Sequence, residues 1–250
     1  MKYTEDPNPA LLTDEEAREW RSHLSGVRRL GASTVNVRLS ALKGLARHCG
    51  RRIKVRGVRQ MQPPVQAPTG RDLGRLIAAA ESHKWGPEWL ALRNVAIIGL
   101  MARAGLRVGE LVALDVKDVE LNPRSGWVLV RQGKGLKERR VPLSLQARKD
   151  LSAYLAARPE WTSEALFVTK TGERVSARSV QRLIKVAAQR AGITIDVTPH
   201  SLRHTFATRF LQKNGDLATL QAVLGHSSIA TTSRYLHPDA ARVQEMVEEL

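Results

Sequence analysis

The chain lacks the features that mark secreted and membrane-spanning proteins. It has one cysteine, Cys49, so no disulfide can form within the chain. It carries no apolar run of membrane length, and neither a signal peptide nor a transit segment at its start. These absences predict a protein that acts inside the cell, in the reducing cytoplasm and without a membrane partner.

Motifs for nucleotide hydrolysis and for metal catalysis are also missing. The sequence contains no G-x-x-x-x-G-K-[ST] loop and no acidic cluster suited to two catalytic metal ions. His200 and His204 are four residues apart, a spacing that can bind zinc on a helix, but no suitably placed Glu or third His completes the site. We therefore expect neither a metal nor another cofactor.

Acidic residues are absent from a long basic stretch of the N-terminal part, residues 21–71. The whole chain has a formal net charge of +16 and a pI near 10.8, which favours a polyanionic partner and indicates nucleic acid. Such a run is often only a solvated face or a disordered arm, but Val35, Leu39 and Leu42 follow helical spacing within it. The residues predicted to contact DNA are Arg28, Arg29, Arg38, Lys43, Arg47, Arg51 and Arg52.

Residues 198–236 read TPHSLRHTFATRFLQKNGDLATLQAVLGHSSIATTSRYL, and they carry the chemistry of the chain. Pro199 favours the first turn of a helix with Thr198 as its N-cap, and His200 and Arg203 then share one face. His226 follows a turn at Gly225, and a short helical run is predicted to end near Tyr235. Each of these side chains alone is more often a core residue with a satisfied hydrogen bond. Together they have the types and spacing needed to converge on one phosphate.

A second segment supplies further groups of the same kind. Residues 105–111, GLRVGEL, place Arg107 at the start of a helix, with Glu110 three residues later. Residues 127–143, WVLVRQGKGLKERRVPL, predict two short strands around a Gly-Lys-Gly turn that presents Lys134. GKG alone is a weak signal. The ordered set Arg, Lys, His-x-x-Arg, Gly-His, Tyr is far more specific.

With these motifs in this order, residues 69–237 resemble the tyrosine recombinase family of the phage integrase and Xer type. The resemblance implies that Tyr235 is the nucleophile and that Arg107 and Arg203 hold the phosphate. It further implies that Lys134 is the general acid and that His200 is a proton acceptor or a phosphate contact. The remaining matches are His226, as a second histidine contact, and Glu110, as a carboxylate that supports the site.

The resemblance implies site-specific recombination of double-stranded DNA through a 3′-phosphotyrosine, without metal or ATP, by four subunits on two duplexes. Two alternatives remain open. A type IB topoisomerase would use the same nucleophile and phosphate contacts but rejoin a strand to its own end. A noncatalytic DNA-binding accessory protein would retain the DNA contacts without the reaction.

The expected architecture is mainly α-helical with a small antiparallel β-sheet, divided into a short helical DNA-binding domain and a catalytic domain of the tyrosine recombinase type. Residues 1–62 predict the first domain, with helices at about 13–29 and 33–49, which is shorter by about two helices than the family's core-binding domain. A proline-containing linker at 63–70 precedes the catalytic domain at 71–237. Within the catalytic domain we expect strands near 127–131, 137–143 and 166–169 and helices near 89–104, 144–158, 176–190 and 199–213.

The last residues, 238–250, predict a helix that begins at Pro238. Val243, Met246, Val247 and Leu250 form a narrow apolar stripe on it, and the segment is clearly acidic in a basic chain. Such a helix either folds back on its own domain or, as the resemblance implies, docks on a neighbouring subunit.

Overall fold

The chain divides into two compact units, Met1–Pro64 and Val65–Leu250. The computed structural model describes residues 12–59, 66–82, 86–131, 138–213 and 216–225. Most of these residues are helical, and three short strands form one antiparallel sheet. The expected fold class, mainly α with a small antiparallel sheet, is therefore confirmed.

The first unit is built from two helices and an extended segment. Helix α1 (Asp14–Ser22) begins with a capping box, in which Thr13 Oγ1 accepts the Glu16 N–H at 3.2 Å and the Glu16 carboxylate accepts the Thr13 N–H at 2.8 Å. It continues as a π-helical turn (His23–Val27). The helix expected at about 13–29 is therefore α-helical only as far as Ser22. Helix α2 (Ala32–His48) lies within a residue of its predicted bounds.

A small apolar core holds this unit together. It contains Ala17, Leu24, Val35, Leu39, Ala46, Ile53 and Val55. The extended chain after α2 is fastened by side chains, because Asn36 donates to the Val58 carbonyl at 2.9 Å and accepts the Val58 N–H at 2.8 Å. The basic residues between the buried positions consequently face outward.

The second unit is organised around helix α4 (Glu88–Ala104), which is buried along nearly its whole length. A helix that is apolar on all sides needs neighbours on all sides, and α4 packs against α3 (Gly70–Glu81), α6 (Leu145–Ala157), α7 (Ala177–Arg190) and α8 (Pro199–Gln212). Gly105 ends α4 in the left-handed conformation, and α5 (Val108–Ala113) begins three residues later. Helix α9 (Leu217–Leu224) packs against α8.

The sheet lies between α5 and α6 in the chain. Its order is β1 (Val119–Leu121), β2 (Gly126–Val130) and β3 (Arg139–Pro142), with both pairings antiparallel. In the register, Val128 pairs with Val119 on one side and with Val141 on the other. This places the three valines on one face, where Val128 and Val141 are fully buried.

The strand expected at residues 166–169 is wrong, and the strand at Val119–Leu121 was not predicted. Leu166, Phe167 and Val168 are buried as a strand would be, but only isolated bridges occur at Ala165 and Val168. Two backbone carbonyls of this segment accept hydrogen bonds from side chains: Tyr154 donates to Leu166 O at 2.9 Å and Arg93 to Val168 O at 2.6 Å. An apolar run of this length has the same hydropathy whether it pairs in a sheet or packs as a connection.

None of the helices in the described part of the chain combines the length and the apolar character needed to cross a membrane.

Candidate functional site

The N-terminus of α8 carries the His-x-x-Arg motif into the second unit. Thr198 Oγ1 accepts the Ser201 N–H at 3.1 Å, Ser201 Oγ accepts the Thr198 N–H at 2.8 Å, and Pro199 occupies the first helical turn. The helix start predicted from these residues is confirmed. His200 is exposed beside this start, whereas Arg203, one turn further on, is almost completely buried.

Arg203 is held by backbone carbonyls from two distant segments. Its Nη1 donates to Gly105 O at 2.6 Å, and its Nη2 donates to Leu224 O at 2.8 Å. These oxygens belong to the C-terminal ends of α4 and α9, where carbonyls have no partner within their own helix. The guanidinium of α8 therefore joins the ends of two other helices at one point.

Arg107 precedes α5 and is paired with the carboxylate at the third position of that helix. Glu110 Oε2 accepts the Arg107 backbone N–H at 2.8 Å, and Glu110 Oε1 accepts from Arg107 Nη1 at 2.7 Å. Longer contacts of 3.4 Å reach from the same guanidinium to the carbonyls of Leu224 and Gly225. The Arg107 side chain keeps 43% of its surface exposed, so it faces the solvent side of the site.

One pocket contains both arginines and the first histidine. It has a volume of about 270 Å³, and its lining is Arg107, Val108, Gln181, Thr198, Pro199, His200 and Arg203. The starts of α5 and α8 both border it, and helix starts favour anions. Two guanidiniums and an imidazole around a cavity of this size suit a phosphate group.

The electrostatics of the pocket leave positive charge in excess. Glu110 is the carboxylate that faces Arg107, Arg139 and Arg203, at 2.7, 2.8 and 3.7 Å. Burial alone would raise the pKa of Glu110, but the hydrogen bonds from Arg139 and from the Arg107 backbone outweigh it and hold that pKa below its ordinary value. The carboxylate is therefore ionised at neutral pH and balances one of three guanidinium charges, and a phosphodiester would balance another.

Arg139 was not predicted from the sequence. It is the first residue of β3, and it donates to Glu110 Oε2 at 2.8 Å and to Val223 O at 3.0 Å. A signal for it existed, because residues two apart in a strand share a face, and Val141 is an evident core position. Arg140 points the other way and is exposed. Gln181, which lines the pocket from α7, has no comparable signal.

Three of the predicted site residues, Lys134, His226 and Tyr235, lie outside the described residues. Of the remaining tyrosines, Tyr3 also lies outside, and Tyr154 is fully buried with its hydroxyl donating to Leu166 O. Burial raises the pKa of Tyr154, which makes it unsuited to attack a phosphate. Within the described ranges, no three His, Cys, Asp or Glu side chains are grouped closely enough to hold a metal ion.

In the first unit, four of the seven predicted DNA contacts border one concave surface. This basic pocket of about 430 Å³ is lined by Lys43, Arg47, Arg51, Arg52, Ile53 and Lys54. Lys54 was not predicted, and Arg28, Arg29 and Arg38 are exposed outside this lining. The end of α2 and the chain that follows it thus bring five basic side chains together.

The chain is similar to known proteins over most of its length. Residues 69–242 match the model of the phage integrase family. The tyrosine recombinase XerC of Yersinia pestis is 37% identical over 235 residues, which cover 90% of this chain and 75% of that protein. XerC of Escherichia coli O157:H7 is 36% identical over 217 residues, covering 84% and 71% of the two chains.

Solved structures show the same similarity. The crystal structure of XerA recombinase superimposes with a TM-score of 0.65 at 30% identity, covering 97% of this chain and 85% of that one. The XerH site-specific recombinase bound to its palindromic difH substrate gives a TM-score of 0.75 at 23% identity, covering 95% and 72%. The second likeness concerns the fold alone.

Proposed function

The chain belongs to the phage integrase family and is a site-specific DNA recombinase of the tyrosine type, and from this premise we propose that it cleaves and rejoins DNA through a 3′-phosphotyrosine at Tyr235. The observation that carries the proposal is the pocket in which Arg107, His200 and Arg203 face one cavity. Neither a metal ion nor ATP enters the reaction.

Cleavage begins with the phenol of Tyr235. A phenol is a weak nucleophile at neutral pH, so it needs a proton acceptor and nearby positive charge. His200 provides the acceptor or a contact to the phosphate, and His226 provides a second contact. The tyrosine oxygen bonds to phosphorus while the bond from phosphorus to the 5′ oxygen breaks.

The two arginines stabilise the charge that develops at phosphorus. Negative charge increases on the nonbridging oxygens as the tyrosine attacks, and the attraction of both guanidiniums strengthens with it. One such donor contributes about 10²- to 10³-fold to the rate. Glu110 fixes Arg107 from behind, through bonds to its backbone N–H and its Nη1.

Lys134 completes the cleavage step as the general acid. The 5′ oxygen leaves with the electron pair of the broken bond and takes a proton from the ammonium of Lys134, which contributes about 10²- to 10⁴-fold. The energy of the broken bond is retained in the phosphotyrosine. A 5′ hydroxyl of another strand then attacks it by the reverse route, so strand exchange consumes no nucleotide.

The DNA partner is held by both units. We assign phosphate contacts to Lys43, Arg47, Arg51 and Arg52 of the basic pocket, and to the exposed Arg28, Arg29 and Arg38. Phosphate contacts provide affinity and position but not sequence. The substrate is double-stranded DNA, and the site of action is the cytoplasm, on the nucleoid.

Four subunits on two duplexes form the recombining complex, joined by the C-terminal residues 239–250. Residues 239–250 of one subunit bind an apolar groove of about 610 Å³ on the second unit of its neighbour. In this groove Leu145, Phe206 and Phe210 are flanked by Arg103, Arg209 and Lys213. Apolar side chains with a basic border complement the apolar stripe and acidic residues of the C-terminal segment.

Trapping of a covalent adduct tests the reaction. On a nicked suicide duplex, the wild type should become linked to the 3′ end of the cut strand, and Tyr235→Phe should bind the same DNA without forming the adduct. Tyr154→Phe should still form it. An adduct that persists in Tyr235→Phe would remove Tyr235 as the nucleophile.

Plasmid relaxation, together with adduct trapping, separates the other two functions considered from the sequence. Relaxation of a plasmid without a specific site would favour a topoisomerase, and DNA binding with no adduct would favour an accessory protein.

A further inference from the structure

Arg139 connects three elements of the second unit through one guanidinium. It lies at the start of β3, its Nη2 donates to Glu110 of α5 at 2.8 Å, and its Nε donates to Val223 O at 3.0 Å, near the end of α9. Only 11% of its side-chain surface is exposed. The sheet is thereby tied to the carboxylate beneath the phosphate pocket.

Through Glu110, this connection reaches Arg107. The oxygen that receives Arg139, Oε2, also accepts the Arg107 N–H at 2.8 Å, and Oε1 accepts Arg107 Nη1 at 2.7 Å. Bonds at both oxygens fix the plane of the carboxylate. The direction in which the Arg107 guanidinium points thus depends on a group that Arg139 holds from the other side.

Arg139 also influences how the carboxylate is shared between the two pocket arginines. Arg203 Nη1 lies 3.7 Å from the same Oε2, beyond hydrogen-bond length. Without Arg139, Oε2 loses one of its two short donors, and the attraction of Arg203 favours rotation of the carboxylate toward α8. Such a rotation weakens the hold of Glu110 on Arg107.

Arg139 uses two of its three nitrogen donors for the Val223 carbonyl and the Glu110 carboxylate. Arg139 Nη1 is buried and, among the described residues, has no hydrogen-bond partner. Arg139 is absent from the pocket lining, so its link to the pocket is through Glu110.

We propose that Arg139 is a positioning residue for strand cleavage, which orients the Arg107 guanidinium toward the scissile phosphate by holding the Glu110 carboxylate in place. This inference rests on the proposed function, because it needs a phosphate that Arg107 stabilises during attack by Tyr235.

A methylphosphonate at the scissile position tests this role. Replacing one nonbridging oxygen by a methyl group removes the negative charge of the phosphodiester, so a correctly placed guanidinium contributes less to the reaction. A residue that acts by orienting Arg107 should matter less on this substrate. A residue that only maintains the fold should slow both substrates by the same factor.

The comparison uses Arg139→Gln, Arg139→Lys and the neighbouring Arg140→Gln. Arg140 is on the same strand, but 67% of its side chain is exposed and it pairs with Glu120 at 3.7 Å, so it is a matched control. The duplex carries the sequence that the purified protein selects from random DNA, with the cleavage position mapped by the wild type. The measured quantity is the first-order rate of adduct formation with enzyme in excess.

With the phosphodiester, Arg139→Gln should lower the rate by about 10²-fold, and with the methylphosphonate by less than about 5-fold. Arg139→Lys keeps a charge near Glu110 and should lose about 10-fold with the phosphodiester. Arg140→Gln should match the wild type on both substrates. If Arg139→Gln does not fold, as judged by circular dichroism, the ratio of the two rates in Arg139→Lys decides the question in the same way.

Equal losses on both substrates, or no loss on either, would overturn the proposal. Recovery of the Arg139 variants on a duplex with a 5′-bridging sulfur would also overturn it. That leaving group needs no proton, so the recovery would assign Arg139 to protonation of the leaving oxygen. A wild type that cleaves neither substrate would overturn the proposed function itself, and this inference with it.

Discussion

Arg203 donates a hydrogen bond to the carbonyl of Gly105 at 2.6 Å, although 98 positions separate the two residues. Gly105 ends α4 with φ +68° and stands two residues before Arg107, so this bond brings both arginines to one pocket. A Cβ at Gly105 would lie 2.5 Å from Phe206 Cδ1 and 2.9 Å from Leu224 Cδ2. The backbone angle and the close packing therefore both require glycine here.

The first prediction concerns this glycine. Gly105→Ala should lower the free energy of unfolding by about 2 kcal/mol, because it adds a left-handed backbone strain and a steric overlap. It should also slow adduct formation, since relief of the overlap displaces the carbonyl that holds Arg203. The measurements are urea denaturation and the adduct rate.

Gly109→Ala is the matched control for that substitution. Gly109 lies in α5, and an added Cβ there would meet nothing within 4 Å. Its alanine variant should be as stable as the wild type or more stable by about 0.5–1 kcal/mol. If the two alanine variants prove equally stable, the assigned strain at Gly105 is wrong.

The second prediction concerns the pH dependence given by Glu110, which faces guanidiniums from α5, β3 and α8. Its pKa is depressed in the folded protein, from an ordinary value of 4.5. Its contribution to stability is therefore fully present above that value and is lost as the pH falls through it toward the lower pKa. Glu110→Gln should cost about 2 kcal/mol near neutral pH, and this difference from the wild type should shrink in acid.

Denaturant midpoints over a pH series measure that difference. Glu120→Gln removes a carboxylate of β1 that is 53% exposed, and it should give a small difference at every pH. A Glu110→Gln penalty that stays constant into the acid range would show that the carboxylate is not held by its arginines.

Helix starts were the parts of the structure most readily predicted from the sequence. Thr13 and Thr198 each begin a helix, because a cap is decided by local hydrogen bonds within one turn. The segment at 166–169 was misassigned because its backbone carbonyls are bound by side chains distant in sequence, those of Tyr154 and Arg93, instead of by a neighbouring strand. Local sequence carries no record of such contacts.

The same distinction separates the predicted site residues from those that were missed. Arg107 and Arg203 stand in motifs with their own local signature, and the structure brings them to one pocket. Arg139 has no motif, and its importance arises from Glu110 and Val223, which are 29 and 84 positions away. Only its position two residues before Val141 in β3 indicated that its side chain faces inward.

The third prediction assigns protonation of the leaving oxygen to Lys134 rather than to Lys137. Lys134→Ala should block cleavage of an ordinary duplex, because a 5′ alkoxide is a very poor leaving group without a proton. A 5′-bridging sulfur leaves without protonation and should restore cleavage in that variant. Rescue of Lys137→Ala instead would reverse the two assignments.

The fourth prediction concerns the basic pocket of the first unit. Changing Arg47, Arg51 and Arg52 together to Gln should weaken DNA binding and flatten its dependence on salt, by about 0.9 in the logarithmic slope for each lost phosphate contact. Arg18 lies beside Glu15 and Glu19 on α1, and Arg18→Gln should leave the slope unchanged. An unchanged slope in the triple variant would mean that this pocket does not touch DNA.

The last prediction concerns assembly through residues 239–250. If this segment docks in trans, its deletion should leave the melting temperature and single-site binding unchanged but abolish the complex of four subunits on two duplexes. If the segment instead docks within its own subunit, its deletion should expose the groove around Phe206 and Phe210 and lower the melting temperature. Native gels with one and with two duplexes, together with thermal denaturation, distinguish these results.

A change on the acceptor side should reproduce the effect of the deletion. Leu145 lines the groove and is 56% exposed, so Leu145→Asp places a charge where the apolar stripe would pack and should prevent synapsis while preserving single-site binding. Val116→Asp, at a 38% exposed apolar position outside the groove lining, should assemble normally. If the truncated protein or the Leu145 variant still places four subunits on two duplexes, docking in trans at this groove is wrong.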